Sequence, residues 1–449
     1  MSVDSETTRA GILGRPYALT TVGAWSLVFL AAFESLAVTT IMPIVTTDLH
    51  GRGLYALAFS STLAAGVVGM VAIGSWADRR GPAVPLFTAI AVFATGLAVA
   101  GTATSMPVFV AARFLQGLGA GGMTVALYVL VALVYPTPLH IKIFGAFASA
   151  WVLPSMVGPF VAGFVADTLS WHWVFLGVVA LVAVAGGLML PAVRGRDRAP
   201  ADRVPASATD ARRVAEAAVV AIAVVALSSL GELDRAAAWL LAPIAVVVIG
   251  FALRHLVPPG TFRIRAGLPA TVVLCGVAGG VFFGTEVYLP LLLHDRYGLP
   301  AWLSGVTLTA GAIAWALASA VQGRLGDRLD PGTAIRAGAA LLAGGAALEL
   351  ATVVLTLHPA VAAIGWFAAG AGMGTLYPRI STLVLALSAP GEEGFNTAAK
   401  SITDAVGGSM ALAFSGLLFT LAPFTGPFVF TTLLGGVTVL IGIRVAASG

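Results

Sequence analysis

Charge is scarce in this chain. Asp, Glu, Lys and Arg together make up 10% of 449 residues and apolar residues 59%, a balance that leaves a water-soluble domain with nowhere to put its apolar surface. The chain is therefore read as an integral membrane protein. Cysteine is nearly absent: Cys275 stands alone inside an apolar run, which excludes an intramolecular disulfide and a cysteine-based metal set. The lysines are Lys142 and Lys400, and neither follows a glycine, so there is no Walker A phosphate loop and no direct ATP drive is expected. No histidine precedes a glutamate and no G-x-S-x-G elbow occurs, which removes the zinc-protease and nucleophile-elbow patterns. No enzyme chemistry, metal or cofactor is expected. The net charge of +4 comes from basic residues in short segments between apolar runs, so it describes topology and not a nucleic-acid partner.

What the chain does have is long apolar runs. Fourteen of them, each near the roughly 20 residues that cross a hydrocarbon layer, follow one another from Thr20–Ile44 to Gly426–Ala446. The first is too long, and lacks a small-residue cleavage pattern, to be a removable signal peptide, and is expected to remain as a helix. With the amino terminus inside, the cytoplasmic segments collect most of the arginines, among them Arg79, Arg80, Arg194, Arg196, Arg263 and Arg328, whereas the outer loops hold Arg52, Arg235 and Arg296. This asymmetry predicts a multi-pass protein of the cell membrane, surrounded by lipid, with both termini cytoplasmic.

Two short charged stretches match. "GSWADRRGP" (Gly74–Pro82) follows the second run and "GRLGDRLDP" (Gly323–Pro331) follows the tenth. Copies after corresponding helices imply an internal repeat, and contiguous six-helix halves would put the second copy after helix 8, so two helices have been added between the halves. The expected fold is all-α: fourteen transmembrane helices in two pseudo-symmetric six-helix bundles, residues 1–191 and 267–449. A cytoplasmic tether (192–212) and two inserted helices (213–255) separate them. In each hinge, Gly74 and Gly81 or Gly323 permit close approach or a tight turn, Asp78 or Asp327 accepts hydrogen bonds at a helix amino terminus, and Arg79 or Arg328 stays at the cytoplasmic surface.

Ionisable groups at bilayer depth cost about 2.5–3.5 kcal/mol even on the lenient insertion scale, so each needs a partner, a wet cavity or a role. Glu34, near the middle of helix 1, is the first candidate for proton coupling or for a cationic substrate; the alternative is a carboxyl that ties helices together. Glu286, in helix 9, is read either as the repeat partner of Glu34 or as an outer-mouth residue. Glu349 in helix 11 is read as peripheral. Arg113 either snorkels from helix 4 or points inward to a carboxylate. Arg379 and Asp404 are expected to meet as a buried pair, with Lys400 closer to the surface, that either gates the inner side or holds two helices together.

Further segments carry a family likeness. "RFLQGLGAG" (Arg113–Gly121), "PSMVGPFVAG" (Pro154–Gly163), "ESLAVTTIMP" (Glu34–Pro43), "SWHWVF" (Ser170–Phe175) and "NTAAKSITDAVGGSMALA" (Asn396–Ala413), with the first hinge, resemble in order the motifs of the major facilitator superfamily and of its fourteen-span drug:proton antiporters. The resemblance implies proton coupling through Arg113 and an antiporter motif at Gly158, Pro159 and Gly163. It implies a proton-coupled exporter of hydrophobic or amphipathic small molecules working by alternating access. Export of an endogenous lipid or metabolite is the alternative, and a non-transporting sensor is disfavoured because no sizeable soluble domain is present.

Overall fold

The computed structural model describes residues 11–15, 17–193, 208–230, 235–325, 328–389 and 392–447. Among them run fourteen long helices. These are α1 (Ala18–Asp48), α2 (Tyr55–Arg80), α3 (Ala83–Gly101), α4 (Met106–Val134), α5 (Thr137–Thr168), α6 (His172–Val193) and α7 (Ala208–Ser229). They continue with α8 (Arg235–Leu253), α9 (Leu268–Tyr297), α10 (Ala301–Leu325), α11 (Pro331–Val354), α12 (Pro359–Ala386), α13 (Glu393–Leu421) and α14 (Thr425–Ala446). Helix is the expected choice, because in hydrocarbon each backbone N–H and C=O must be satisfied within its own segment. Twelve of the helices are long and apolar enough to span a bilayer. The other two are α7, whose first turns carry Asp210, Arg212, Arg213 and Glu216, and α8, whose described apolar stretch is Leu240–Leu253.

An even number of antiparallel crossings returns the chain to its starting side, so both ends share one face, here the terminal face. The opposite face carries the α1–α2, α5–α6 and α9–α10 connections. Packing repeats with an offset of eight helices. The pairs α2·α4, α3·α4, α1·α5, α1·α6 and α3·α6 recur as α10·α12, α11·α12, α9·α13, α9·α14 and α11·α14.

Glycines set the closest of these approaches. A Cβ on Gly117 would lie 2.0 Å from the Thr62 carbonyl oxygen and one on Gly121 2.2 Å from that of Gly66, and one on Gly370 2.1 Å from that of Gly311 and one on Gly374 2.2 Å from that of Trp315. Both helix pairs thus use a small residue every fourth position to bring backbones together. The inserted hairpin packs through α7 onto both α2 and α13, so it bridges the two halves. Ser60 of α2 and Ser228 of α7 share a buried hydrogen bond of 2.7 Å there.

The linker expected over 192–212 falls mostly on residues 194–207, outside the described residues.

Candidate functional site: a buried ion pair and an aromatic cluster

In the first half the polar centre lies where α1, α2, α3 and α4 meet. The guanidinium of Arg113 on α4 donates from Nη1 to Oε1 of Glu34 on α1 and to Oε1 of Gln116, one turn along its own helix. Its Nε donates to the Ala58 carbonyl of α2 at 3.4 Å, and Gln116 Nε2 donates onward to the Gly96 carbonyl of α3 at 3.2 Å. Glu34 is 4% exposed and Arg113 2%. Charges this deep are tolerated because each is paired and hydrogen-bonded; removing either partner alone would strand the other in a medium that cannot solvate it.

In the second half the corresponding place is aromatic. Trp366 of α12 is 1% exposed and donates from Nε1 to the Leu308 carbonyl of α10 at 3.2 Å. Its ring lies 4.6 Å, centroid to centroid, from Phe282 of α9. Phe282 continues to Trp315 of α10 at 5.2 Å, and Trp315 to Tyr377 of α12 at 5.8 Å. At the end of this chain the Tyr377 hydroxyl donates to Asp404 Oδ2 at 3.1 Å, and the Lys400 ammonium sits 3.7 Å from the centre of the Tyr377 ring. Gly279 admits the carboxylate, since a Cβ there would lie 2.2 Å from Asp404 Oδ1.

The halves meet tightly towards the opposite face. Arg52 Nη1 pairs with Asp295 Oδ2 at 3.0 Å, and the Tyr55 hydroxyl donates to the Val287 carbonyl at 2.6 Å. Trp302 N–H donates to Asp167 Oδ2 at 3.3 Å. A Cβ on Gly163 would lie 2.7 Å from the Trp302 backbone, and one on Gly305 2.6 Å from the Pro159 carbonyl oxygen, so α5 and α10 touch backbone to backbone. Towards the terminal face the contact lapses: a Cβ on Gly145 of α5 or on Gly323 of α10 would meet nothing within 4 Å.

Comparison with known proteins agrees with this architecture. Residues 24–355 match the Major Facilitator Superfamily. The chain belongs to that superfamily. It is 25% identical over 405 residues to the multidrug transporter protein MdtP of Bacillus subtilis (strain 168), covering 86% of this chain and 72% of that protein. It is likewise 25% identical over 428 residues to Rv1634 of Mycobacterium tuberculosis (strain ATCC 25618 / H37Rv), named as a probable multidrug-efflux transporter, covering 92% and 89%. Among solved structures it resembles a peptide transporter POT in complex with sulfate, at a TM-score of 0.68 and 18% identity over 100% of this chain and 98% of that one. It also resembles the human organic anion transporter MFSD10 (TETRAN), at 0.62 and 16% over 94% and 99%. The superfamily is one of transporters and not of enzymes, and this member is a multi-pass membrane protein whose relatives include multidrug efflux transporters.

Within this superfamily member the residues singled out in the sequence divide clearly. Glu34 and Arg113 come together. Arg379 and Asp404 do not: Arg379 Nη2 donates to the Leu329 carbonyl at 3.2 Å, while Asp404 points across α12 to Tyr377 and α9 to Gly279. Pro378 separates Tyr377 from Arg379 in sequence, and a helix turns by about 100° per residue, so only one of the two faces α13. Lys400, expected nearer the surface, is 6% exposed. Glu286 is buried one turn beyond Phe282, on the same face of α9, and the position matching Glu34 is taken by Phe282. Glu349 is fully buried against Gly365, and neither of its oxygens has a hydrogen-bond partner among the described residues.

Gly158 packs on Phe33 of α1, and Pro159 and Gly163 lie at the α5–α10 contact. In the first hinge Gly81 has φ +87° and ends α2, its N–H bonding the Ala77 carbonyl at 2.9 Å, and a Cβ on Gly74 would meet Val125 at 3.1 Å. Asp78 and Arg79 occupy the last turn of α2. In the second hinge Gly323 and Arg328 are exposed, and Asp327 lies outside the described residues. Gln116, Trp366 and Tyr377 were not visible as site residues in the sequence; only Gln116 had a signal, its position one turn from Arg113 on the same helix.

Proposed function

We propose that this transporter is a proton-coupled exporter of hydrophobic or amphipathic small molecules. The observation that carries the reading is the buried Glu34–Arg113 pair. It is a carboxylate and its counter-ion at the meeting point of four helices, in a chain whose other half offers aromatic rings at the matching place. A proton arriving at Glu34 neutralises the carboxylate and leaves Arg113 with only Gln116 and the Ala58 carbonyl as acceptors, a buried charge without its counter-ion. In this reading that charge drives the pair to a second arrangement with different helix–helix contacts, which is what a coupling element needs. In this reading Glu286 is a second proton acceptor close to the aromatic chain, and Asp404 with Arg379 governs the terminal side.

The bundles 1–191 and 267–449 rock about the seam, and the 213–255 hairpin rides on α2 and α13. Contacts at the opposite face are closed, while Gly145 of α5 and Gly323 of α10 meet nothing towards the terminal face, which fits a state open to the cytoplasm if both termini lie there. Gly158, Pro159 and Gly163 seal the closed side, and the two hinges at Gly74–Gly81 and Gly323–Arg328 latch the terminal side. Moving one elementary charge through 100 mV supplies about 2.3 kcal/mol, so one proton per cycle already supports outward pumping. The names of the multidrug relatives support drug-like cargo over an endogenous lipid or metabolite.

Reconstitution into liposomes with an imposed pH gradient tests this. Flux of a hydrophobic dye is expected to follow the gradient, collapse with a protonophore and be lost in Glu34→Gln. Gradient-driven flux that survives Glu34→Gln removes that residue from the coupling role, and flux indifferent to the gradient removes proton coupling altogether.

A further inference from the structure

We propose that Lys400, seated on Tyr377 and one turn from Asp404, is a receptor for the carboxylate head group of an amphipathic cargo. Lys400 is 6% exposed, yet its ammonium makes no hydrogen bond or ion pair within 4 Å among the described residues; its one close partner is the face of Tyr377 at 3.7 Å. An ammonium has three N–H donors and no acceptor capacity. The nitrogen is not among the fully buried polar atoms left without a partner, so it stays open to an arriving acceptor that would take those protons. Asp404, one turn along α13, balances the charge without contacting it: Oδ2 accepts from Tyr377, and Oδ1 lies buried against Gly279 with no hydrogen-bond partner among the described residues. The lysine's protons are therefore left for a ligand.

The surroundings suit an amphipath. Tyr377, Asp404 and Trp315 are half-buried, and α13, which carries Lys400 and Asp404, packs against α2 of the first half, so the site lies at the edge facing the other bundle. From Tyr377 the half-buried ring of Trp315 continues the apolar surface, backed by the buried rings of Phe282 and Trp366. An anionic head on Lys400 with a tail along Tyr377 and Trp315 satisfies the donors and buries apolar surface together. A cationic head meets an ammonium already occupying the aromatic face, which disfavours it.

The assignment deepens the exporter reading, since it names the head group of the cargo, but its test does not depend on transport. Dansylated undecanoic acid, the corresponding primary amide and a trimethylammonium analogue of equal tail length are titrated into the detergent-purified protein, with tryptophan-to-dansyl energy transfer as readout. The acid is expected to bind the wild type about tenfold more tightly than the amide, with the cation weakest. Lys400→Met should erase the preference and Lys400→Arg should keep it. Equal binding of acid and amide by the wild type overturns the proposal, as does a preference that survives Lys400→Met in protein of unchanged melting temperature. An acid preference without gradient-driven flux of any probe in liposomes would sustain the head-group assignment and defeat the exporter reading.

Discussion

Trp366 occupies in the second half the place that Arg113 occupies in the first. Both stand one turn ahead of a pair of glycines, Gly117 and Gly121 or Gly370 and Gly374, that lets the helix touch its partner backbone to backbone. Each donates to a carbonyl of that partner, Arg113 to Ala58 and Trp366 to Leu308. Arg113 meets Glu34 on the first helix of its half, and Trp366 meets Phe282 on the first helix of the other. A shared scaffold thus holds an ion pair on one side and an aromatic pair on the other. The proposed function assigns proton handling to the first and cargo contact to the second.

That division makes a prediction about stability. Arg113→Met leaves Glu34 buried without a counter-ion and is expected to cost about 3–5 kcal/mol, whereas Arg113→Met with Glu34→Gln removes both charges and restores most of the loss. Thermal melting of the purified single and double variants gives the comparison. A double variant less stable than either single one would mean that neither charge is stranded by loss of the other, which the buried pairing requires.

The α5–α10 contact yields a second expectation. With the Gly305 Cα facing the Pro159 carbonyl, a side chain there forces the helices apart, because the obstacle is backbone and cannot turn aside. Gly305→Val is expected to hold the opposite face open. A single cysteine placed at Trp302 in a Cys275→Ala background should then react several-fold faster with a membrane-impermeant maleimide than the same cysteine beside the native glycine. Unchanged reactivity would mean that this contact does not close the seam.

Closure can also be imposed. Arg52 and Asp295 face each other across the seam at 3.0 Å between charged atoms, and the side chains converge from α2's entry turn and the end of α9. A reducible bifunctional thiol cross-linker long enough to replace the arginine side chain, joining Arg52→Cys to Asp295→Cys in the Cys275→Ala background, is expected to stop dye flux and to release it on reduction. Full flux in the cross-linked protein would show that the two halves need not part at this point.

Much of this was legible beforehand, and the reason is the bilayer. A segment that must satisfy its own backbone in hydrocarbon declares itself as an apolar run, so the helices and their order follow from the sequence. The repeat offset was legible from the two hinges. Pairings between helices were not, because they depend on which face each residue takes. Glu34 and Arg113 found each other as the only charges near one depth in the first half. Arg379 and Asp404 satisfied the same criterion and missed, since Tyr377 and not Arg379 is the residue on the α13-facing side of α12. The equivalence of Arg113 and Trp366 is hidden for a different reason: a charge and an aromatic ring share no chemistry, and only the glycine register beneath them persists.

A last prediction concerns pH at the terminal face. Asp330 caps α11: its Oδ2 accepts from the Thr333 backbone N–H at 2.7 Å and from the Thr333 hydroxyl at 2.8 Å. These hydrogen bonds, aided by Arg336, hold the Asp330 carboxyl below the usual aspartate range. A group whose folded value is depressed contributes stability that is complete above its unfolded value, roughly 3.9, and is lost as pH falls through the folded one. The first turn of α11 should therefore stay protected at neutral pH and begin to fray below about pH 4. Amide hydrogen exchange at Thr333 and Ala334, corrected for the intrinsic pH dependence, reads this directly. Asp330→Asn keeps an accepting oxygen but no titrating group, so it should retain the cap and flatten the profile. A profile unchanged by that substitution would assign the fraying to another group.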